Sequence, residues 1–290
     1  MNEFISPVVV GVDGSAASLE AALWAVDEAM TRNTWLVLSS VVDPRDSDLS
    51  ARLTSARRML CSAKAFVQDA KPRAMVRAEV LVDDEAHAWL QHGRTASLLC
   101  LARHAGFGSG DSPRCPPVAD VVRWAEVPVA LVGRHPAPRP DDRWVVVVID
   151  ASTHAGTLWA AALAEARMRA AAVMMLAPPG VSPDDVQEEL ERSDPGDDLE
   201  VWAMPWTDDL SGLLAQANGH EQVVVINSAA GAVLDNLLDA GHDSGLPVDC
   251  SVLMMPCDIT SCSRPAHQHI EGHPFYCSTP VVREPGAAGS

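Results

Sequence analysis

Short apolar runs alternate along this chain with longer segments whose apolar residues recur at helical spacing. Val8-Val9-Val10-Gly11-Val12 has no polar position, the pattern of a strand buried on both faces, and it stops at the turn Asp13-Gly14-Ser15. A helix follows in which Leu19, Ala22, Leu23, Val26 and Met30 share one face, with Glu20, Asp27 and Glu28 elsewhere. The pattern then predicts a strand over 35–42, a long helix over 49–69, a strand over 75–82 and a short helix over 84–92. A strand over 97–101, a helix over 118–125 and a strand over 127–132 follow. Such strict strand–helix alternation implies a mostly parallel, doubly wound sheet.

The plan then restarts. His135-Pro136-Ala137-Pro138-Arg139-Pro140-Asp141-Asp142 is a linker stiffened by alternating prolines. Beyond it a strand over 144–149 ends at Asp150-Ala151-Ser152, as the first ends at Asp13-Gly14-Ser15. The spacing between Asp13 and Asp150 recurs between Ala25 and Ala162, Glu28 and Glu165, and Arg32 and Arg169. It recurs again between Leu36-Val37-Leu38 and Val173-Met174-Met175, so one unit is present twice. Strands over 199–205, 223–226 and 251–255 and helices over 208–218 and 233–240 complete the second copy, which is trimmed around its second helix at 183–192. The expected organisation is two tandem α/β units, each a doubly wound five-stranded parallel sheet. They occupy 5–134 and 143–256, joined by the linker 135–142 and followed by a loosely ordered tail over 257–290.

The length of 290 residues suits two domains, and the composition, 48% hydrophobic and 21% charged, is that of a globular chain. The net charge of −18 excludes much. The densest cationic stretch, 52–58, holds three arginines, Arg52, Arg57 and Arg58. Neither nucleic acid nor an anionic membrane surface is therefore an expected partner. The N-terminus lacks a signal-peptide pattern and no apolar run reaches bilayer length, so the expected location is cytoplasmic. Seven cysteines without secretory context read as reduced thiols.

The opening Pro7-Val8-Val9-Val10-Gly11-Val12-Asp13-Gly14-Ser15 resembles the first strand and turn of universal stress proteins. Ala22-Leu23-Trp24-Ala25-Val26-Asp27-Glu28-Ala29 resembles the first helix of the tandem actinobacterial members, and Val127-Pro128-Val129-Ala130-Leu131-Val132 the family's last strand. The resemblance covers about residues 5–135 well and 143–256 more loosely. It implies a five-stranded parallel sheet and, in many members, ATP in the crevice at the carboxyl ends of the strands. It also implies a role in stress, hypoxia or dormancy responses through regulation rather than turnover, with pairing of units through the final strands. Those are 127–132 and 251–255 here, which points to intramolecular pairing of the two units and to a homodimer.

Carried over residue by residue, the resemblance implies nucleotide contacts at Gly11, Asp13, Val42, Ala102, Gly106, Gly108, Cys115 and Pro116. A glycine lets a ligand approach the backbone, and the Asp13 carboxylate either accepts bonds from a nucleoside or caps the turn into the helix. The phosphate loop departs from the family pattern. Ala102 replaces its first glycine, and Cys115-Pro116 stands where Gly-Ser or Gly-Thr is expected. Pro116 and Pro117 remove two N–H donors from the spot that holds terminal phosphates, and Asp111 adds repulsion. Arg103, His104 and Arg114 either compensate as side-chain cations or are solvated loop charges. ATP binding in the first copy is therefore expected to be weak. In the second copy Val148 stands for Gly11, Asp150 is kept, and Asn227, Ser228 and Gly231 belong to a loop followed by Asp235, Asp239 and Asp243. No ATP binding is expected there, only a structural or partner-binding role.

Cys257, Cys262, His267, His269, His273 and Cys277 carry zinc-type ligands, but their spacings match no paired framework, so no metal is expected. His269-Ile270-Glu271-Gly272-His273 is a chance likeness to an H-x-G-H signature, since it follows the last strand. Neither a Walker-type loop nor a nucleophile elbow is present. Cys61 and Cys100 read as buried small hydrophobes, and Cys115, beside Arg114, is the cysteine with some claim to reactivity. The expected function is a non-catalytic regulator with weak adenine-nucleotide binding in the first unit. A ligand-free interaction module docking an unidentified protein is the alternative, and an ATPase or metal-dependent hydrolase a more distant one.

Overall fold

In the computed structural model, which describes residues 6–103, 121–122, 125–133, 143–149, 155–177, 182, 199–205, 221–227 and 250–256, the apolar runs become strands of one sheet. The first half supplies β1 (Val8–Gly11), β2 (Leu36–Val42), β3 (Val76–Val82), β4 (Leu98–Ala102) and β5 (Val129–Val132). The second supplies β6 (Arg143–Val148), β7 (Ala172–Ala177), β8 (Val201–Pro205), β9 (Glu221–Asn227) and β10 (Cys250–Met255). The described helices are α1 (Ala16–Thr31), α2 (Leu49–Ala70), α3 (Glu85–Gly93) and α4 (Ala155–Arg169). The helices expected over 183–192, 208–218 and 233–240, most of the one over 118–125, and the tail over 257–290 lie outside the described residues.

The strand order is β3-β2-β1-β4-β5-β10-β9-β6-β7-β8. Inward from either edge the sequence is the same: third, second, first, fourth and fifth strand of that half. Each half is thus a five-stranded parallel unit, and among the described strands the one antiparallel pairing is β5 with β10. The two units do not form separate sheets. Leu131 faces Val252 and Ala130 faces Leu253 across the seam, so the two expected final strands are the ones that pair. The physical reason is edge satisfaction: each unit ends in an apolar strand whose outer amides and carbonyls would otherwise form an open pairing edge. The Gly133 N–H donates to Ser251 Oγ (3.0 Å) and Arg103 Nη1 to the Cys250 carbonyl (2.9 Å), pinning the seam further.

Burial follows strand position. β1, β4 and β5 are closed over on both faces, whereas β3, at one edge of the sheet, is buried only at Val76 and is otherwise partly or fully open to solvent. One face of the sheet carries α1, α2 and α4, with Leu60, Ala63 and Val67 of α2 and Leu158, Ala162 and Ala166 of α4 in the same core. The other face carries Trp89 of α3 together with Val121 and Val122. Helices on both faces of a parallel sheet put the open ends of its strands at one side, where a ligand crevice forms.

The turn into α1 shows how the sequence builds that end. Ser15 caps the helix by accepting from the Ser18 N–H (3.1 Å), and Asp13 Oδ1 accepts from the Ser15 N–H (2.8 Å). Gly14 sits at φ +86°, in the left-handed region, with Met59 Sδ 3.0 Å from where a Cβ would be. Gly14→Ala is expected to lower stability by about 1–2 kcal/mol, read from urea unfolding followed by circular dichroism. A variant as stable as the parent would mean that the turn relaxes freely.

Two sequence expectations need correction. Cys61 is exposed, not buried, because the inward stripe of α2 is Ala56, Leu60, Ala63 and Val67 and Cys61 lies a third of a turn from it. Cys100, on β4, is fully buried as expected, and burial, followed by the nearby Glu28, pushes its thiol well above the usual range. The inward face of α1 is also displaced from the one anticipated. Met30 is 42% exposed, whereas Glu28 is 2% exposed and sits among Ala21, Ala22, Trp24, Ala25, Val26 and Ala29.

The reason lies in the second half. The α4 residue Arg169, 9% exposed, donates to Glu28 Oε1 (2.7 Å) and pairs with Glu165 (3.0 Å), itself 2% exposed. Arg32 completes the cluster at 3.1 Å from Glu28, and the Arg169 guanidinium lies over the Trp24 ring at 4.5 Å. Glu28 and Glu165, and Arg32 and Arg169, are the residues that correspond between the two copies. The duplicated helix positions therefore meet each other in a buried ionic cluster on one face of the sheet.

Candidate functional site

A crevice of about 750 Å³ opens at the carboxyl ends of β1, β2 and β4 in the first half. It brings together Gly11, Asp13, Val42 and Ala102, four of the positions expected to contact a nucleotide. The other four, Gly106, Gly108, Cys115 and Pro116, lie outside the described residues, as do His104 and Arg114. In the second half Val148, 3% exposed, ends β6 and Asn227, 8% exposed, ends β9, while Asp150, Ser228 and Gly231 are outside the described residues. The candidate metal ligands Cys257, Cys262, His267, His269, His273 and Cys277 are outside them too.

Gly11 is needed for packing inside the protein. A Cβ there would lie 3.0 Å from Leu101 Cδ2 and 3.1 and 3.2 Å from the Trp89 ring. The space that a side chain would take is filled by the protein's own indole, 4% exposed, at the wall of the crevice. Val148 at the matching position of the second half closes the same strand end with its own side chain. Asp13 serves two purposes: its carboxylate holds the Ser15 amide and its residue faces the crevice. Arg103, considered for a phosphate contact, has its guanidinium on the Cys250 carbonyl at the seam.

The sequence reading missed most of the rim. Asp43, Asp46, Asp83, Asp84 and Glu85 line the crevice with Asp13, and Arg52 is the single Lys or Arg among the described lining residues. A signal for them existed. Asp43 follows the last residue of β2 and Asp83 the last residue of β3, so each is placed by its strand at the ligand end of the sheet. Arg45 Nη2 bridges Asp43 (2.9 Å) and Asp84 (3.2 Å), and Arg52 pairs with Asp46 (3.5 Å). The hydrogen bonds from the Arg45 side chain and backbone hold the Asp43 carboxyl below its usual range. Glu85 goes the other way: partial burial, then repulsion from Asp84 and Asp13, push it up to about 7.

Beneath the rim, Ser39, Glu79 and His92 form a polar contact. Ser39 Oγ donates to Glu79 Oε1 (3.2 Å) and lies 3.4 Å from His92 Nε2, and the same nitrogen contacts Glu79. Ser39 has no exposed surface and one imidazole nitrogen serves both neighbours, so this is not a relay that activates a serine at the crevice. Among the described residues, no three His, Cys, Asp or Glu side chains converge as a metal-holding group, and no helix is long and apolar enough to cross a membrane.

No family model matches the chain. It is 31% identical over 205 residues to the universal stress protein Rv2028c of Mycobacterium tuberculosis, covering 66% of this chain and 74% of the relative. It is 28% identical over 264 residues to the universal stress protein Rv2624c of the same organism, covering 86% of this chain and 95% of the relative. Among solved structures, a universal stress protein from Archaeoglobus fulgidus matches 88% of this chain and 97% of its own with a TM-score of 0.65. At 12% identity that match carries the fold alone.

Proposed function

The chain belongs to the universal stress protein family, and from that premise we propose that it is a non-catalytic, cytoplasmic regulator of a stress or dormancy response. Its first half receives the nucleoside part of an adenine nucleotide, gripping phosphates weakly, and its second half holds no ATP. The observation that carries this reading is the company Asp13 keeps. Gly11, Asp13, Val42 and Ala102 share one crevice, yet its rim is carboxylate on the β2 and β3 sides. A nucleoside fits a cleft of that volume, whereas each added phosphate meets the field of Asp43, Asp46, Asp83 and Asp84.

Equilibrium binding of labelled adenosine, AMP, cyclic AMP and ATP tests the reading. Adenosine is expected to bind most tightly and ATP least. The gap narrows as salt is added, because the opposing term is electrostatic. Asp13→Ala abolishes the binding. ATP binding tighter than AMP would refute the weak grip on phosphates. Absence of saturation by any of the four at millimolar concentration would favour a ligand-free interaction module, in which the sheet edges and helix faces dock another protein.

A further inference from the structure

We propose that β3 is the surface through which two copies of this chain pair, edge to edge and antiparallel, about a two-fold axis at Ala78. The margin of this strand is open. The Met75 carbonyl accepts from the Leu36 N–H (2.8 Å), and the Asp83 N–H donates to the Val42 carbonyl (3.3 Å). Odd-numbered residues here therefore turn their main-chain groups to β2, and Val76, Ala78, Val80 and Val82 turn theirs outward. No described residue bonds to those outward groups. Proteins blunt such an edge with proline, lysine, a bulge or a short strand. β3 has none of these: it runs seven residues in unbroken register with β2. The opposite margin, β8, has five residues and ends at Pro205. Apolar groups are also left open along β3, with Met75 39% and Val82 48% exposed and Ala78 exposed between them.

The occupant follows from the order of residues along the strand. Met75-Val76-Arg77-Ala78-Glu79-Val80-Leu81 reads the same from either end, apolar for apolar and charge for opposite charge. An antiparallel copy sets Met75 against Leu81, Val76 against Val80 and Ala78 against itself. It sets Arg77 against Glu79 twice, once in each direction. Arg77 takes no ion pair among the described residues, and its guanidinium rests over the Trp35 ring at 3.9 Å. Glu79 accepts from Ser39 (3.2 Å) and touches His92, and a carboxylate has lone pairs for a further donor. Sliding the copies by two residues sets Arg77 against Arg77 or Glu79 against Glu79, and sliding by one turns outward groups against inward ones. Of these neighbouring registers, only the one centred on Ala78 joins outward groups and opposite charges together. The helices allow it: α2 lies over β2 and β3, so its copy would stand two strand spacings off, about 10 Å, an ordinary distance for packed helices. A self-complementary patch is what a closed two-fold dimer requires, and pairing stops at two chains because each has one such edge.

Sedimentation equilibrium of the full chain, run without nucleotide from micromolar to millimolar concentration, tests this. A reversible monomer–dimer equilibrium is expected, with no larger species. Arg77→Glu places two like-charge pairs across the axis and is expected to raise the dissociation constant about tenfold or more. Glu79→Arg does the same with the opposite sign. An equimolar mixture of the two variants is expected to recover the dimer, since each then faces its opposite charge, a rescue that mere misfolding does not give. Ala78→Pro removes an outward N–H that no described residue uses, so it weakens the dimer and leaves the circular dichroism spectrum unchanged. The proposal is overturned if the chain stays monomeric throughout, which would leave this edge to a strand of another protein. It is overturned as well if a dimer forms that Arg77→Glu and Ala78→Pro both leave as tight as the parent. A mixture no tighter than either charge variant alone also overturns it.

Discussion

Arg169→Met lowers the free energy of unfolding by about 3–5 kcal/mol, the cost of stranding buried carboxylates without their cation. Arg169 is the shared partner of Glu28 and Glu165, which are both 2% exposed, and it lies over Trp24. After the substitution Glu28 keeps Arg32, which is 36% exposed and so a weaker countercharge, while Glu165 keeps no cation among the described residues. Methionine fills the volume of the arginine stem, so the loss reports charge and not a cavity. Urea denaturation at pH 7.5 gives the number directly. Arg32→Met, at the solvent-exposed end of the cluster, costs at most about 1 kcal/mol. The attribution fails if the two variants are equally stable.

The same cluster makes stability depend on pH. Burial, reinforced by the Glu165 charge and opposed by Arg169 and Arg32, raises Glu28 from 4.5 to about 7. In the unfolded chain that carboxyl loses its proton near 4.5, whereas the folded protein holds it until about 7. Between those values the native state binds more protons than the unfolded one. The contribution of this group is therefore fully present below about 4.5 and is lost as pH rises through about 7, with a slope of up to about 1.4 kcal/mol per pH unit. Glu28→Gln, which cannot ionise, removes that slope, so its stability relative to the parent improves steadily from pH 4.5 to 7.5. Unfolding curves collected across that range check it, and a difference between variant and parent that stays constant with pH would rule it out. Glu85, raised to about 7 by burial and by Asp84 and Asp13, adds a contribution of the same sign in the same window. Glu85→Gln separates the two.

The parts of the fold carried by local chemistry were legible in the amino-acid order. β1, β2, β4, β5 and α2 fall within a residue or two of where apolar patterning places them, and the Asp13-Gly14-Ser15 turn is built from the capping groups seen there. Duplication was legible too, because repeated spacing needs no tertiary information. What escaped was whatever depends on the two copies meeting. Glu28 reads as a surface acid on an amphipathic helix, and nothing near it in sequence says otherwise, because the arginine that neutralises it is 141 residues away. The inward face of α1 is broader than one helical stripe since the helix touches both the sheet and the second half. At the crevice, Gly11 and Asp13 were visible as candidates, but the acidic rim was not. Its members are unremarkable singly and become one electrostatic feature only when three parallel strands end side by side. Trp89, too, was invisible as the reason for Gly11, since the two are brought together only by the packing of α3 beneath β1.

The β5–β10 seam changes how such a protein responds to its own abundance. Two separate chains that meet through their last strands would come apart on dilution, and their assembly would follow expression level. Here both strands belong to one polypeptide, so their encounter is unimolecular and is complete at any copy number. Those two strands are consumed internally, and among the described residues the sheet margins left outward are β3 and β8. An association between copies of this chain through strand pairing would have to use one of those margins, since the join between β5 and β10 is already made within each molecule.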